Sequence, residues 1–149
     1  MKNYVIKGDI CYSKASTELC TVENGYVVCR DGRCAGAYDA LPQEYESFPC
    51  YNYEGHMVLP GLVDLHVHAP QYPFRGLGMD LELIGWLDTH TFPEEAKYAD
   101  LEYAQKAYSI FAQDLQNSAT TRACIFGTVH AQATLLLMEM RTCPPGLRR

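Results

Sequence analysis

Over the first sixty residues the apolar positions fall in short runs, at 4–10, 18–21, 26–29 and 33–38, each closed by polar or turn-forming residues. Runs of this length suit strands and are too short for stable helices. Asn24-Gly25 and Asp31-Gly32 lie between them, and such pairs supply the positive φ angles that tight hairpins need. The pattern predicts a β-rich lobe over residues 1–59, with a polar, aromatic connector at 45–53 and a last strand at 57–59. After the turn Pro60-Gly61 comes a denser run, Leu62-Val63-Asp64-Leu65-His66-Val67-His68. Side chains alternate faces on a strand, so Leu62, Asp64, His66 and His68 share one face and Val63, Leu65 and Val67 the other. A strand this apolar reads as buried on both sides, in a parallel sheet that carries helices outside.

The period then changes. Residues 71–93 read as loop-rich, and Arg75-Gly76-Leu77-Gly78 within them lacks the third glycine and strand-to-helix setting of a phosphate cradle, which leaves a turn. Tyr72, Trp86 and Phe92 in this stretch are candidates for a lid or a stacking wall. Asp100 can cap a helix running to about Gln116, whose Leu101, Ala104, Tyr108, Phe111 and Leu115 recur at three- and four-residue spacing and face a sheet. Residues 121–129 are β-branched and apolar, which predicts a second strand delivering His130 to its end. Residues 135–140 suit a buried helix, and Pro144-Pro145 stops any continuation. Such an ending resembles an abrupt or out-of-frame terminus more than a designed one.

Composition narrows the partners more than the fold. The chain has 149 residues, 48% hydrophobic and 20% charged, with a net charge of −6, all ordinary for a globular protein. An acidic balance disfavours nucleic acid but is no obstacle to an uncharged base. No run of about 18 apolar residues exists to cross a membrane, and Asp9 interrupts the only N-terminal run that could resemble a secretory signal. The expected location is therefore cytoplasmic, with neither nucleic acid nor membrane as partner. Seven cysteines without a Cys-x-x-Cys pair favour neither a zinc ribbon nor a secreted disulfide frame, and are expected to be mostly small, buried and reduced.

The chemistry concentrates at His66 and His68. Neutral imidazole is a common ligand for zinc and iron, and two rings on same-side positions of one strand can reach one ion at about 2.1 Å. Asp64 on the same face either orients a histidine ring as an outer acceptor or bonds a nearby backbone group or cation. His130 is a substrate-side candidate by position, with ordinary hydrogen bonding in its loop as the alternative. His56 and His90 need no more than surface or structural roles.

The run Pro60-Gly61-Leu62-Val63-Asp64-Leu65-His66-Val67-His68 resembles the first barrel strand of the metal-dependent amidohydrolase superfamily. His68-Ala69-Pro70-Gln71-Tyr72, Trp86-Leu87, Thr91-Phe92-Pro93-x-Glu95, Thr120-Thr121-x-Ala123-Cys124 and Thr128-Val129-His130 are similar to the guanine deaminases within it. His90 stands where that family is expected to carry tyrosine. The resemblance implies an α/β fold: a (β/α)8 TIM barrel, truncated to its first units over residues 60–149, preceded by a small β-sandwich lobe over 1–59. It also implies a single zinc, or iron, and hydrolysis of guanine to xanthine and ammonia. By the same resemblance His66 and His68 bind the metal and Gln71 contacts the purine. The family's other histidines, its proton-shuttling Glu, its Arg-Phe pair and its late Asp ligand would all lie beyond this sequence.

A complete barrel needs roughly 250 residues. The chain is thus expected to hold about two of eight strand-helix units and to lack activity alone. Other readings are an amidohydrolase for a different aminopurine, a pyrimidine or a triazine, and a non-catalytic fragment that associates through exposed strand edges. An intact version could form a homo-oligomer.

Overall fold

A computed structural model describes residues 3–140 of the chain, which divides into two compact units, Met1–Pro60 and Gly61–Arg149. The first is built on β1 (Tyr4–Ala15), β2 (Glu18–Arg30), β3 (Arg33–Tyr38) and β4 (Cys50–Val58), in the sheet order β3-β2-β1-β4. β1 pairs antiparallel with β2 and parallel with β4.

Val5 and Val28 face each other across the β1–β2 ladder and are fully buried. They pack with Tyr45, flanked by Leu41 and Phe48. The buried face is thus covered by the segment between β3 and β4. Among the described residues this unit forms one four-stranded sheet with an irregular cover.

The two predicted hairpin turns part ways. Asp31 and Gly32 take φ values of 54° and 77° and join β2 to β3 with Arg30 opposite Arg33, as a two-residue turn requires. Asn24-Gly25 instead lies inside β2. Gly8 pairs with Gly25 and Ile10 with Val22, so one residue of β1 opposes two of β2, a β-bulge. Asn24 is left-handed, with φ 52°, and its N–H donates to Asp9 Oδ1 at 2.8 Å. Positive φ suits a bulge as well as a turn, and the tight turn falls at Ser16-Thr17 instead. β4 also begins earlier than expected and takes in part of the predicted connector, because its partner is the distant β1.

Of the described cysteines only Cys29 is buried, while Cys34, Cys50 and Cys124 are exposed. The expectation of mostly buried cysteines fails because neighbouring strand residues alternate outward. Cys143 and the Pro144-Pro145 tail lie outside the described residues.

The second unit holds β5 (Leu62–His68), α1 (Leu83–Trp86), α2 (Phe92–Ala96), α3 (Leu101–Gln116), β6 (Thr120–Phe126) and α4 (Ala131–Glu139), with 3-10 turns at Ala69–Phe74 and Lys97–Ala99. β5 and β6 pair in parallel, as the apolar run predicted. Of the outer face, Val67 packs with Ile125 against the core cluster, whereas Val63 and Leu65 are exposed. The helices cover only that end of the strand pair.

The stretch read as loop-rich is more ordered than expected. Two glycine turns, Gly76 at φ 82° and Gly78 at φ 67°, precede a helical run from Leu83 to Ala96 that loosens into a π turn over Leu87–Thr91. Pro93 has no N–H to return to the preceding turn, and this local widening is how a helix accommodates it.

α3 forms where its cap and periodicity placed it. Asp100 Oδ1 accepts from the Glu102 N–H at 2.9 Å, satisfying a donor that has no partner within the helix. Ala104, Tyr108 and Phe111 are buried, and Leu115 partly so, in a cluster with Ala69, Tyr98, Ala133 and Leu137. Leu101 is the exception in the stripe and is exposed. α4 buries Ala133 and Leu137 but leaves Leu135 and Met138 exposed.

Replacing Asp100 by alanine is expected to lower the urea-unfolding free energy by about 1 kcal/mol. The same core holds phenols whose burial resists ionisation: Tyr108 is pushed up to about 12, by burial first and then by the charge of Glu95. An unfolded tyrosine ionises near 10, so this contribution is complete below pH 10 and is lost as pH rises toward 12. Urea titrations at pH 8 and pH 11 should show that loss, and Tyr108→Phe should reduce it.

Candidate metal and base site

The site begins with alternation along β5. Successive same-side residues of a strand are about 6.6 Å apart, yet His66 Nε2 and His68 Nε2 approach to 2.9 Å. One ring's N–H donates to the bare nitrogen of the other, the tautomer deciding which. Asp64 serves the backbone: its Oδ1 accepts from the His66 main-chain N–H at 3.0 Å, fixing the strand just ahead of the first ring.

Two nitrogens bound to one tetrahedral zinc stand about 3.4 Å apart. The observed pair reaches that separation with a small rotation of either ring, so the donors fit a borderline metal such as zinc. No group of three or more His, Cys, Asp or Glu able to hold a metal occurs among the described residues. A catalytic zinc normally takes three protein ligands, and the described residues supply two.

Beyond β5 the 3-10 turn carries Gln71 to the edge of an open cavity of about 220 Å³. Its lining includes His68, Gln71, Tyr72, Phe74, Met79 and Trp86. The Gln71 amide donates to Glu95 Oε1 at 3.2 Å, which ties the turn to α2. Glu95 also raises the phenol of Tyr108 electrostatically, so its charge is directed at the core as well as at Gln71.

The aromatic candidates separate. Trp86 stays beside the site, its Nε1–H donating to the Leu77 carbonyl at 3.2 Å and its ring 5.6 Å from that of Phe74. Tyr72 also lines the cavity, but its hydroxyl donates to Asp114 at 2.7 Å, a bond that raises its pKa, and Arg75 lies over its ring at 4.0 Å. Phe92 is exposed.

His130 caps the start of α4, its N–H donating to Thr128 Oγ1 at 2.8 Å, and is not among the residues lining the cavity. His90 Nδ1 lies 2.8 Å from the Thr89 hydroxyl and His56 Nδ1 3.3 Å from the Glu54 carbonyl.

Two residues enter the site that the pattern analysis did not single out for roles. Glu95 had a signal, since it closes the Thr91-Phe92-Pro93-x-Glu95 motif. Phe126 had none, because its place beside His68 follows from the β5–β6 register.

A sequence model described as "Amidohydrolase family" matches residues 57–149, and so takes in the whole of β5, the cavity and β6. The chain belongs to the amidohydrolase family. Among curated members, the guanine deaminase of Escherichia coli K12 is 43% identical over 121 residues, 79% of this chain and 27% of that one. The guanine deaminase of Rattus norvegicus is 43% identical over 82 residues, 55% of this chain and 18% of that one. The chain therefore spans roughly a quarter or less of these relatives.

Among solved structures, a guanine deaminase from C. acetobutylicum with guanine bound in its active site superposes with a TM-score of 0.87 at 37% identity. The match covers 93% of this chain and 33% of that one. The resemblance read from the motifs is borne out, down to the guanine deaminases within this amidohydrolase family.

Removing the Glu95 carboxylate should release Gln71 without unfolding the unit. In Glu95→Ala the Gln71 side-chain amide resonances are expected to sharpen and move toward random-coil positions, as followed by 1H–15N NMR, while the α3 amides stay in place.

Proposed function

We propose that this chain provides the first metal-binding corner and the base-contacting glutamine of a guanine deaminase, a hydrolase that releases ammonia from guanine to leave xanthine. The observation that carries the reading is the convergence of His66 and His68 beside a cavity lined by Gln71. The likeness to an enzyme described with guanine in its active site supports the same substrate.

In this reading His66 and His68 hold zinc, with iron as the alternative for the same imidazole donors. A bound zinc supplies activated water near neutral pH. Gln71 orients the base: with its amide N–H committed to Glu95, its carbonyl remains to accept from a donor edge such as a purine N–H. Asp64 keeps the His66 backbone in place, and His130, at the start of α4 and outside the cavity lining, would reach a base only from the edge of the site. The protein partner in this reading is a second copy of the intact enzyme, and the location is cytoplasmic. No helix among the described residues is long and apolar enough to cross a membrane.

A chimera tests the reading. Residues 1–140 replace the matching N-terminal segment of the Escherichia coli relative, and xanthine formation is followed after zinc loading. Guanine turnover is expected, abolished by His68→Ala with loss of bound zinc. Gln71→Ala should raise KM about tenfold while zinc content holds, the size expected for losing one buried hydrogen bond. A folded, zinc-loaded chimera that deaminates a triazine or a pyrimidine in place of guanine would establish the alternative substrate classes.

A further inference from the structure

The β5–β6 ladder is irregular where the histidines lie. Asp64 pairs with Ala123 and Val67 with Ile125, so three steps along β5 match two along β6. One residue of β5 is therefore extra, and a bulge of this kind re-aims side chains beside it. The effect is that two same-face residues of β5 meet a single aromatic of β6. Phe126 pairs with His68, its ring 4.9 Å from that imidazole and within 13° of parallel. The same ring lies 4.6 Å from His66 at 40°. Neither contact is available to a histidine pair on an isolated strand.

This arrangement bears on metal capture. His66 is exposed, and a side chain free to change rotamer loses that freedom when it binds. A plate already in contact with both rings removes part of that cost, because apolar groups around a metal site and the groups that orient its ligands tune its affinity. Phe126 itself keeps 42% of its surface exposed, which sets it apart from the buried cluster around Phe111 and leaves the histidine rings as its main aromatic contacts.

We infer that Phe126 is a positioning residue for the metal corner: it braces His66 and His68 from the neighbouring strand and holds their Nε2 atoms converged before the ion arrives. The inference rests on the metal role assigned above to the two histidines.

The test uses the 149-residue chain, with zinc titrated by calorimetry and the imidazole C–H resonances of the metal-free protein followed by NMR. Phe126→Leu keeps an apolar side chain but removes the plate. It is expected to weaken zinc binding about tenfold and to move both imidazole signals downfield as the ring current disappears. Phe126→Tyr, which restores a ring, should recover both readouts to within about twofold of the parent affinity. Thermal midpoints accompany each variant, and Phe126→Met replaces the leucine variant if that one does not fold. Unchanged zinc affinity and unmoved imidazole signals in Phe126→Leu would overturn the inference while leaving the metal corner intact. Loss of zinc binding that Phe126→Tyr fails to restore would also overturn it. If the parent chain binds no zinc and His66→Ala changes nothing, the metal reading falls, and the bracing role falls with it.

Discussion

Two rings anchored about 6.6 Å apart on a strand do not meet at 2.9 Å unless their backbone and neighbours bring them together. That convergence is the constraint around which the second unit is arranged. Strand alternation puts the rings on one face, the Asp64 carboxylate fixes the main chain leading into His66, and the parallel partner strand brings an aromatic against both. The 3-10 turn that follows at once carries Gln71 to the cavity that His68 also lines, so imidazole nitrogens and a side-chain amide come together from within a few residues of sequence. The helical layer is secured independently, by a capped helix whose aromatic and alanine face packs on Tyr98 and Leu137.

The tether between Gln71 and Glu95 shows how that layer reaches the chemistry. A glutamine amide can present either its carbonyl or its N–H groups to a ligand, and the two are close to isosteric. A carboxylate on one side removes the ambiguity, because it only accepts. The orientation at the cavity is thus imposed from α2, whose own place follows from the π turn that accommodates Pro93. A charge at residue 95 thus sets the orientation of the amide at residue 71.

What could be read from the sequence follows the distance over which each feature is determined. α3 was legible because its cap and its stripe are local: Asp100 bonds residues two and three positions on, and the buried face repeats within one helix. The same holds for His66 and His68, whose shared face is fixed by alternation alone. Asn24-Gly25 was misplaced because positive φ is common to turns and bulges, and the choice between them depends on Asp9, fifteen residues away. The early start of β4 depends on which strand pairs with β1, and the irregular cover of the sheet on what packs over Val5. The bracing ring of Phe126 depends on a register slip between strands separated by a whole helical crossover. Motif comparison identified the family without seeing any of these, since it weighs residues at fixed spacing and not the pairing between them.

The register of β5 with β6 also has a consequence for how the molecule is made. Leu62 finds its partner at Thr120, so β5 leaves the ribosome well before the strand that completes its ladder. At ordinary rates of translation the interval is on the order of 3–12 seconds. Throughout it an apolar segment waits with open hydrogen-bonding edges, the kind of surface that a holdase chaperone covers.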